Sequence, residues 1–298
     1  MARALEARPG EIFDIGYRRY EGARLGRGYA FRTLYVHSLR SVFGLGRGGR
    51  ALIIPWILFA IVLFPATVTV MAAALTGGMA QLLGYAQYFP FVSMIIALFC
   101  AAQAPELVST DQHSGVLPLY FSRPLRRADY ALAKLLAMAT AVYLLVLAPL
   151  LVLLAGRLAM AADFAGAVRA ESPSFLPILA TPLVAAAVLG TLALALASLT
   201  RRRGIGAALV LGTVLLSGAV TAILLANLEG RGRAWALMAN PLLTSHGTIN
   251  LLFGVQGGQG GLGLVAASLP SWAFPAAVAA YAALSTALLL ARYARMRT

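Results

Sequence analysis

Apolar positions along this chain do not alternate with polar ones; they run on. Stretches free of Asp, Glu, Lys and Arg extend over 51–105, 135–156, 172–200, 204–228 and 234–291. A helix needs about 20 mostly apolar residues to cross the hydrocarbon core of a bilayer. The first stretch holds two crossings and a turn, placed in Thr76-Gly77-Gly78 through Gln87, where glycine and glutamine interrupt the pattern. The next three hold one crossing each. The expected spans are about 51–75, 83–105, 135–156, 177–200 and 204–227, with a sixth near 270–291.

The last stretch is long enough for two crossings, and charge decides its count. The chain carries 24 basic and 10 acidic residues, net +14, and Lys134 is the one lysine. With the N-terminus inside, the inner segments are 1–50, 106–134, 201–203 and 292–298. They hold all the basic residues except Arg157, Arg169, Arg231 and Arg233. A seventh span would put Arg292, Arg295 and Arg297 outside, against the positive-inside bias, so six spans and a cytoplasmic C-terminal tail at 292–298 are expected. Residues 234–269 then form outer helices that dip into the membrane without crossing. Asn240-Pro241, Ser245-His246 and a Gly/Gln cluster from Gly257 to Gly263 break them. A Gly-broken seventh span is the alternative. No apolar run of signal-peptide length occurs in 1–50.

Two segments outside the spans have patterns of their own. Over about 28–47, Phe31, Leu34, Tyr35, Leu39, Val42 and Phe43 share one helical face. Thr33, Val36, His37, Arg40 and Arg47 fall largely on the other, with Arg32 at the edge. That is an interfacial helix, expected to lie on the cytoplasmic membrane surface with its arginines toward anionic lipid headgroups. The segment 106–134 is the longest charged one between spans. Pro118 and Pro124 break it into short helical pieces, and its acids precede Arg123, Arg126 and Arg127. It reads as a solvated loop or as a docking element for a cytoplasmic partner.

Composition agrees with a membrane protein: 60% hydrophobic and 11% charged, against roughly 25% charged in a soluble domain. The arginines are spread over short inner segments, so orientation accounts for the positive charge and nucleic acid is not an expected partner. Cys100 is the single cysteine and cannot form an intrachain disulfide. Catalytic patterns are missing. Lys134 follows Ala133, so no Walker A can be written, and the histidines at 37, 113 and 246 make no zinc motif. No catalytic or cofactor-binding residue is expected. No charge falls mid-span, which argues against a proton antiporter, so energy is expected from outside the chain. Two small-residue faces remain. One is Phe89, Ser93, Ala97, Cys100 and Ala104 in the second span, and the other is Gly206, Thr213, Ser217 and Thr221 in the fifth. Each could line a pathway or pack against another helix.

The inner segment resembles the loop between spans two and three of type-2 ABC exporter permeases. The matching residues are Asp111, Gly115, Val116, Leu117, Ser122-Arg123-Pro124-Leu125-Arg126, Tyr130 and Lys134. Ile12 to Arg27 resembles the N-terminal lead of a subgroup common in high-GC bacteria, and Asn240-Pro241 a short element before the last span. The resemblance implies a transmembrane subunit pairing with a second permease copy, identical or related. Two cytoplasmic ATPase subunits, which bind the ATP and Mg, would power the pair. It implies ATPase-coupling contacts among Glu106, Asp111, His113, Gly115, Leu117 and Leu119, with Arg123, Arg126 and Arg127 at the membrane surface. It also makes Ser93, Cys100, Thr213, Ser217 and Thr221 candidates for lining the pathway. The cargo implied is apolar or amphipathic, a lipid or an antibiotic-like drug, exported across a bacterial plasma membrane. A membrane anchor that recruits cytoplasmic proteins, or a lipid-modifying membrane enzyme, would show the same spans.

Overall fold

A computed structural model describes residues 25–46, 48–77, 83–122, 124–255 and 268–295. Most of the Ile12–Arg27 lead, Arg47, Arg123, the Gly257–Gly263 cluster and Arg297 lie outside the described residues. So does the middle of the first interspan turn.

The chain is an all-α polytopic membrane protein. Among the described residues six helices are long and apolar enough to cross a bilayer. In chain order the helices are α1 (Arg27–Val42), α2 (Arg50–Leu75), α3 (Tyr85–His113), α4 (Leu117–Phe121), α5 (Arg127–Ala159) and α6 (Phe164–Ala197). They continue with α7 (Arg203–Asn227), α8 (Gly230–Trp235), α9 (Pro241–Leu252) and α10 (Ala273–Ala294). The crossing helices are α2, α3, α5, α6, α7 and α10.

Burial sorts these helices into two classes. The spanning windows of α3 and α6 are largely buried, whereas α2, α7 and α10 are mostly exposed. On α2 the exposed positions are large and apolar, including Ile53, Trp56, Ile57, Phe64 and Met71. A water-facing helix would not carry that surface; a lipid-facing one does. Prolines inside α2, α3, α5 and α6 are tolerated because neighbouring helices and hydroxyls satisfy freed backbone groups. The Ser172 hydroxyl, for example, donates at 2.8 Å to the Arg169 carbonyl, which Pro173 leaves without its backbone partner. Past three prolines α6 widens into a π-turn at Ala186–Gly190.

The helices overrun the apolar stretches that announced them. α3 continues through Glu106 and Asp111 to His113, and α5 begins at Arg127, two turns before the apolar run at Leu135. Charged residues end a hydrophobic run without ending a helix. At 33 residues α5 is about 50 Å long, more than a bilayer core requires.

α1 runs alongside the start of α5. Arg27 donates to Asp129 at 2.7 and 2.5 Å, and the Tyr35 hydroxyl lies 3.0 Å from that of Thr140. Both chains advance in the same direction between these two ties. α1 packs on α5 as extensively as α5 does on α6. Its apolar face is turned inward: Leu34 and Val42 are buried, and Phe31, Tyr35, Leu39 and Phe43 half-buried. Arg32, His37 and Arg40 stay exposed.

Beyond α7, three short helical pieces follow: α8, a 3-10 turn at Ala236–Ala239, and α9. At 12 residues α9 is about 18 Å long, too short to cross. Asn240 caps it, its Oδ1 accepting from the amides of Leu242 (2.8 Å) and Leu243 (3.3 Å), with Pro241 in the first turn. This is the chemistry helix starts favour. Gly247 seats α9 on α10: a Cβ there would stand 2.2 Å from Phe274 Cδ1. Gly247→Ala is expected to destabilise by about 1–3 kcal/mol. Cys100, only 1% exposed, supplies the readout, since a thiol-reactive dye reports the melting at which it becomes accessible.

Candidate functional site

The end of the bundle that carries α4 concentrates the polar side chains. Gly115, with φ +66°, turns the chain out of α3 where a side chain would be strained. α4 follows, only five residues long, with Pro118 in its first turn and Leu117 buried as its anchor. Together they make an elbow between two long helices. The outward face of the elbow is His113, Ser114, Gly115 and Leu119, the last 68% exposed.

The structure divides the acids of the segment from its exposed tip. Glu106 accepts from Arg203 Nη1 of α7 at 2.6 Å. Asp111 Oδ2 takes the Tyr130 hydroxyl at 2.7 Å and Lys134 Nζ at 2.8 Å, with Lys134 4% exposed. Next to it, Gln112 Nε2 donates to the Ser198 carbonyl (3.1 Å) and to Tyr293 (3.2 Å). Ser109 donates to the Ala197 carbonyl at 3.0 Å. Burial without partners would cost several kcal/mol per charge, and these partners come from four different helices. Arg126 donates its backbone N–H to Asp129 at 2.9 Å, capping α5. Arg127 reaches the Ala294 carbonyl at 3.1 Å and lies 5.8 Å over the Phe121 ring. The Asp129 carboxylate on its side chain holds the Arg27 guanidinium above its ordinary value. Arg123 lies outside the described residues.

Between α1 and the elbow opens a cavity of about 650 Å³. Tyr29, Leu34 and His37 form one wall, and Asp111, Tyr120 and Leu125 the other. Its size is that of a ligand or side-chain-docking pocket, and it is mostly apolar.

The other candidate faces are quieter. Ser93 and Cys100 are buried inside the chain, with Ser93 donating to the Pro90 carbonyl at 2.9 Å. Thr213 and Ser217 are half-buried and return their hydroxyls to the Leu209 and Val214 carbonyls of their own helix at 2.8 Å. Thr221 is buried, 3.5 Å from the Ala236 carbonyl. Gly206 lets α7 approach α3, since a Cβ there would lie 3.1 Å from Pro105. Hydroxyls satisfied within a helix and glycines at close approaches are what helix packing in lipid uses.

A second polar cluster occupies the opposite end. Tyr85 donates to Glu171 at 2.9 Å, and Arg157 lies 3.4 Å from Glu171, 3.2 Å from the Leu83 carbonyl and 4.4 Å over the Tyr85 ring. Nearby, His246 meets Phe89 edge-on, and burial pushes its imidazole down to about 4. Sequence reading singled out none of these contacts, because each joins residues on different helices or loops with no local pattern between them. Among the described residues no group of three or more His, Cys, Asp or Glu is gathered to hold a metal ion. No protein-family model matches the chain, and a search of curated proteins finds no significant match.

Proposed function

We propose that the chain is the transmembrane permease subunit of an ATP-driven exporter of the type-2 ABC class. The observation that carries this reading is the elbow. A short helix with an exposed leucine at its tip stands at the end of two long helices, and aromatic rings hold it to the bundle beside the Asp111–Lys134 pair that ties α3 to α5. A merely solvated loop needs no such fixing.

In this reading the elbow faces the cytoplasm, as do both termini, in a bacterial plasma membrane. The tip and the cavity beside α1 receive a separate ATPase subunit, which holds the ATP and Mg. Two permease copies, identical or related, face two ATPases. Closure of the ATPase dimer pushes on Gly115 to Leu119, and α3 and α5 carry that push into the membrane. The pair passes from an inward-open to an outward-open or collapsed state. Spans with no charge at mid-depth fit an apolar or amphipathic cargo, which partitions from the lipid phase with little desolvation. The chain itself performs no catalytic step.

The test is co-purification. The tagged chain, extracted in mild detergent, is expected to bring down an ATP-binding subunit at one-to-one stoichiometry. Leu119→Arg, on the exposed tip, is expected to reduce its recovery about tenfold, the scale of an interface anchor. Recovery of no ATP-binding subunit, or equal recovery with Leu119→Arg, refutes the assignment.

A further inference from the structure

We infer that Tyr130 is the residue through which the α4 elbow and the spanning helices move as one body, with Asp111 and Lys134 positioning its ring. The transport part of this inference rests on the exporter reading; the mechanical part does not.

Tyr130 is fully buried one turn into α5. Tyr120 and Phe121 of α4 lie on its ring, with centroids 5.5 and 6.1 Å away. Tyr293 of α10 lies against it at 5.1 Å. Its hydroxyl donates to Asp111 of α3. Lys134 sits four residues on, on the same face of α5. Its ammonium is 2.8 Å from the carboxylate oxygen that Tyr130 uses and 5.4 Å from the Tyr130 ring. Tyr293 is in turn tied through Gln112 to the Ser198 carbonyl, at the end of α6. One ring therefore touches α4, α3 and α10, and reaches the end of α6 through Tyr293 and Gln112.

α4 cannot hold itself. Five residues are far below the length at which a helix is stable alone, so its position is set by what it leans on. An apolar cluster of the same volume would support it as firmly, because buried ion pairs add little net stability over well-packed apolar groups. The polar groups add direction. A hydroxyl, an ammonium and a carboxylate sharing one oxygen admit one arrangement, whereas apolar rings can slide. The cluster should thus hold the elbow in register with the spans while adding little to the global stability of the fold.

Two variants separate these effects. Asp111→Asn with Lys134→Met removes both charges together, and Tyr130→Phe removes only the hydroxyl. Both are expected to melt close to the wild type. Amide exchange over 114–122 in the detergent-solubilised full chain is expected to rise about tenfold, with the spans unchanged, as for a local opening. Tyr130→Phe, whose site lies outside the surface proposed to receive the ATPase, is expected to hydrolyse ATP normally when reconstituted in vesicles with the co-purified ATPase. It should move a fluorescent short-chain phospholipid about fivefold or more less per ATP. Unchanged exchange over 114–122 overturns the mechanical assignment. Faster exchange with an unchanged transport-to-ATP ratio overturns the coupling role and leaves the cluster a stabilising contact. Absence of any ATPase refutes the exporter reading, while amide exchange still decides the joint.

Discussion

Replacing Lys134 alone by methionine is expected to destabilise the protein by about 3 kcal/mol, and adding Asp111→Asn to restore most of that loss. Lys134 is 4% exposed and Asp111 16%, so the pair has little water to fall back on. Removing the ammonium leaves a carboxylate whose remaining partner is the Tyr130 hydroxyl. Neutralising the carboxylate as well removes the charge that needed compensation. Melting followed by Cys100 accessibility gives the three values. A double variant no more stable than Lys134→Met would show that the charge is compensated elsewhere. The expected coupling between the two sites, about 1–3 kcal/mol, is that of groups in direct contact.

Gly44→Val is expected to be at least as damaging, for a reason that lies in the backbone. Gly44 ends the turn after α1 at φ +71°, and a Cβ there would fall 2.4 Å from the Ala51 carbonyl oxygen and 2.9 Å from the Leu52 nitrogen. Those are main-chain atoms and no rotamer change moves them. The left-handed conformation alone costs a residue with a Cβ about 1–2 kcal/mol. The collision with α2 brings the total to about 3 kcal/mol or more. Gly46→Ala is the control, because Gly46 has φ +85° and open space where its Cβ would go. It carries the conformational penalty without the collision. Equal melting of the two variants would show that the α1–α2 turn yields freely.

The spans were legible because a bilayer imposes one requirement, about 20 apolar residues in a row, and charge-free stretches meet or fail it visibly. Helix ends were not, since the rule concerns hydrophobicity and not hydrogen bonding. α3 keeps its backbone ladder through Glu106 and Asp111, and α6 begins at Phe164 despite Arg169 and Glu171. The elbow was legible in outline from Pro118 and Pro124, which break helical continuity; Gly115 entered only through the resemblance. Its fixing was not. The Asp111–Lys134 and Tyr130–Tyr293 contacts form only after α3, α5 and α10 have met, and no local pattern registers that meeting. The packing of α1 on α5 was hidden for the same reason. Its wheel shows an apolar face and says nothing about whether lipid or α5 covers it.

That last ambiguity has a consequence in time. Arg27 and Asp129 are 102 residues apart, and chains are made at about 5–20 residues per second, so α1 leaves the ribosome roughly 5–20 s before its partner exists. Over that interval the stripe of Phe31, Leu34, Tyr35, Leu39 and Val42 lacks α5, the helix that covers most of it, and the bilayer surface is the apolar phase at hand. The newborn helix is thus expected to rest on the membrane first and to exchange lipid for α5 once the third span is made. On that expectation a single amphipathic stripe serves two successive partners, the first holding the N-terminal segment at the membrane while the rest of the chain is threaded through it.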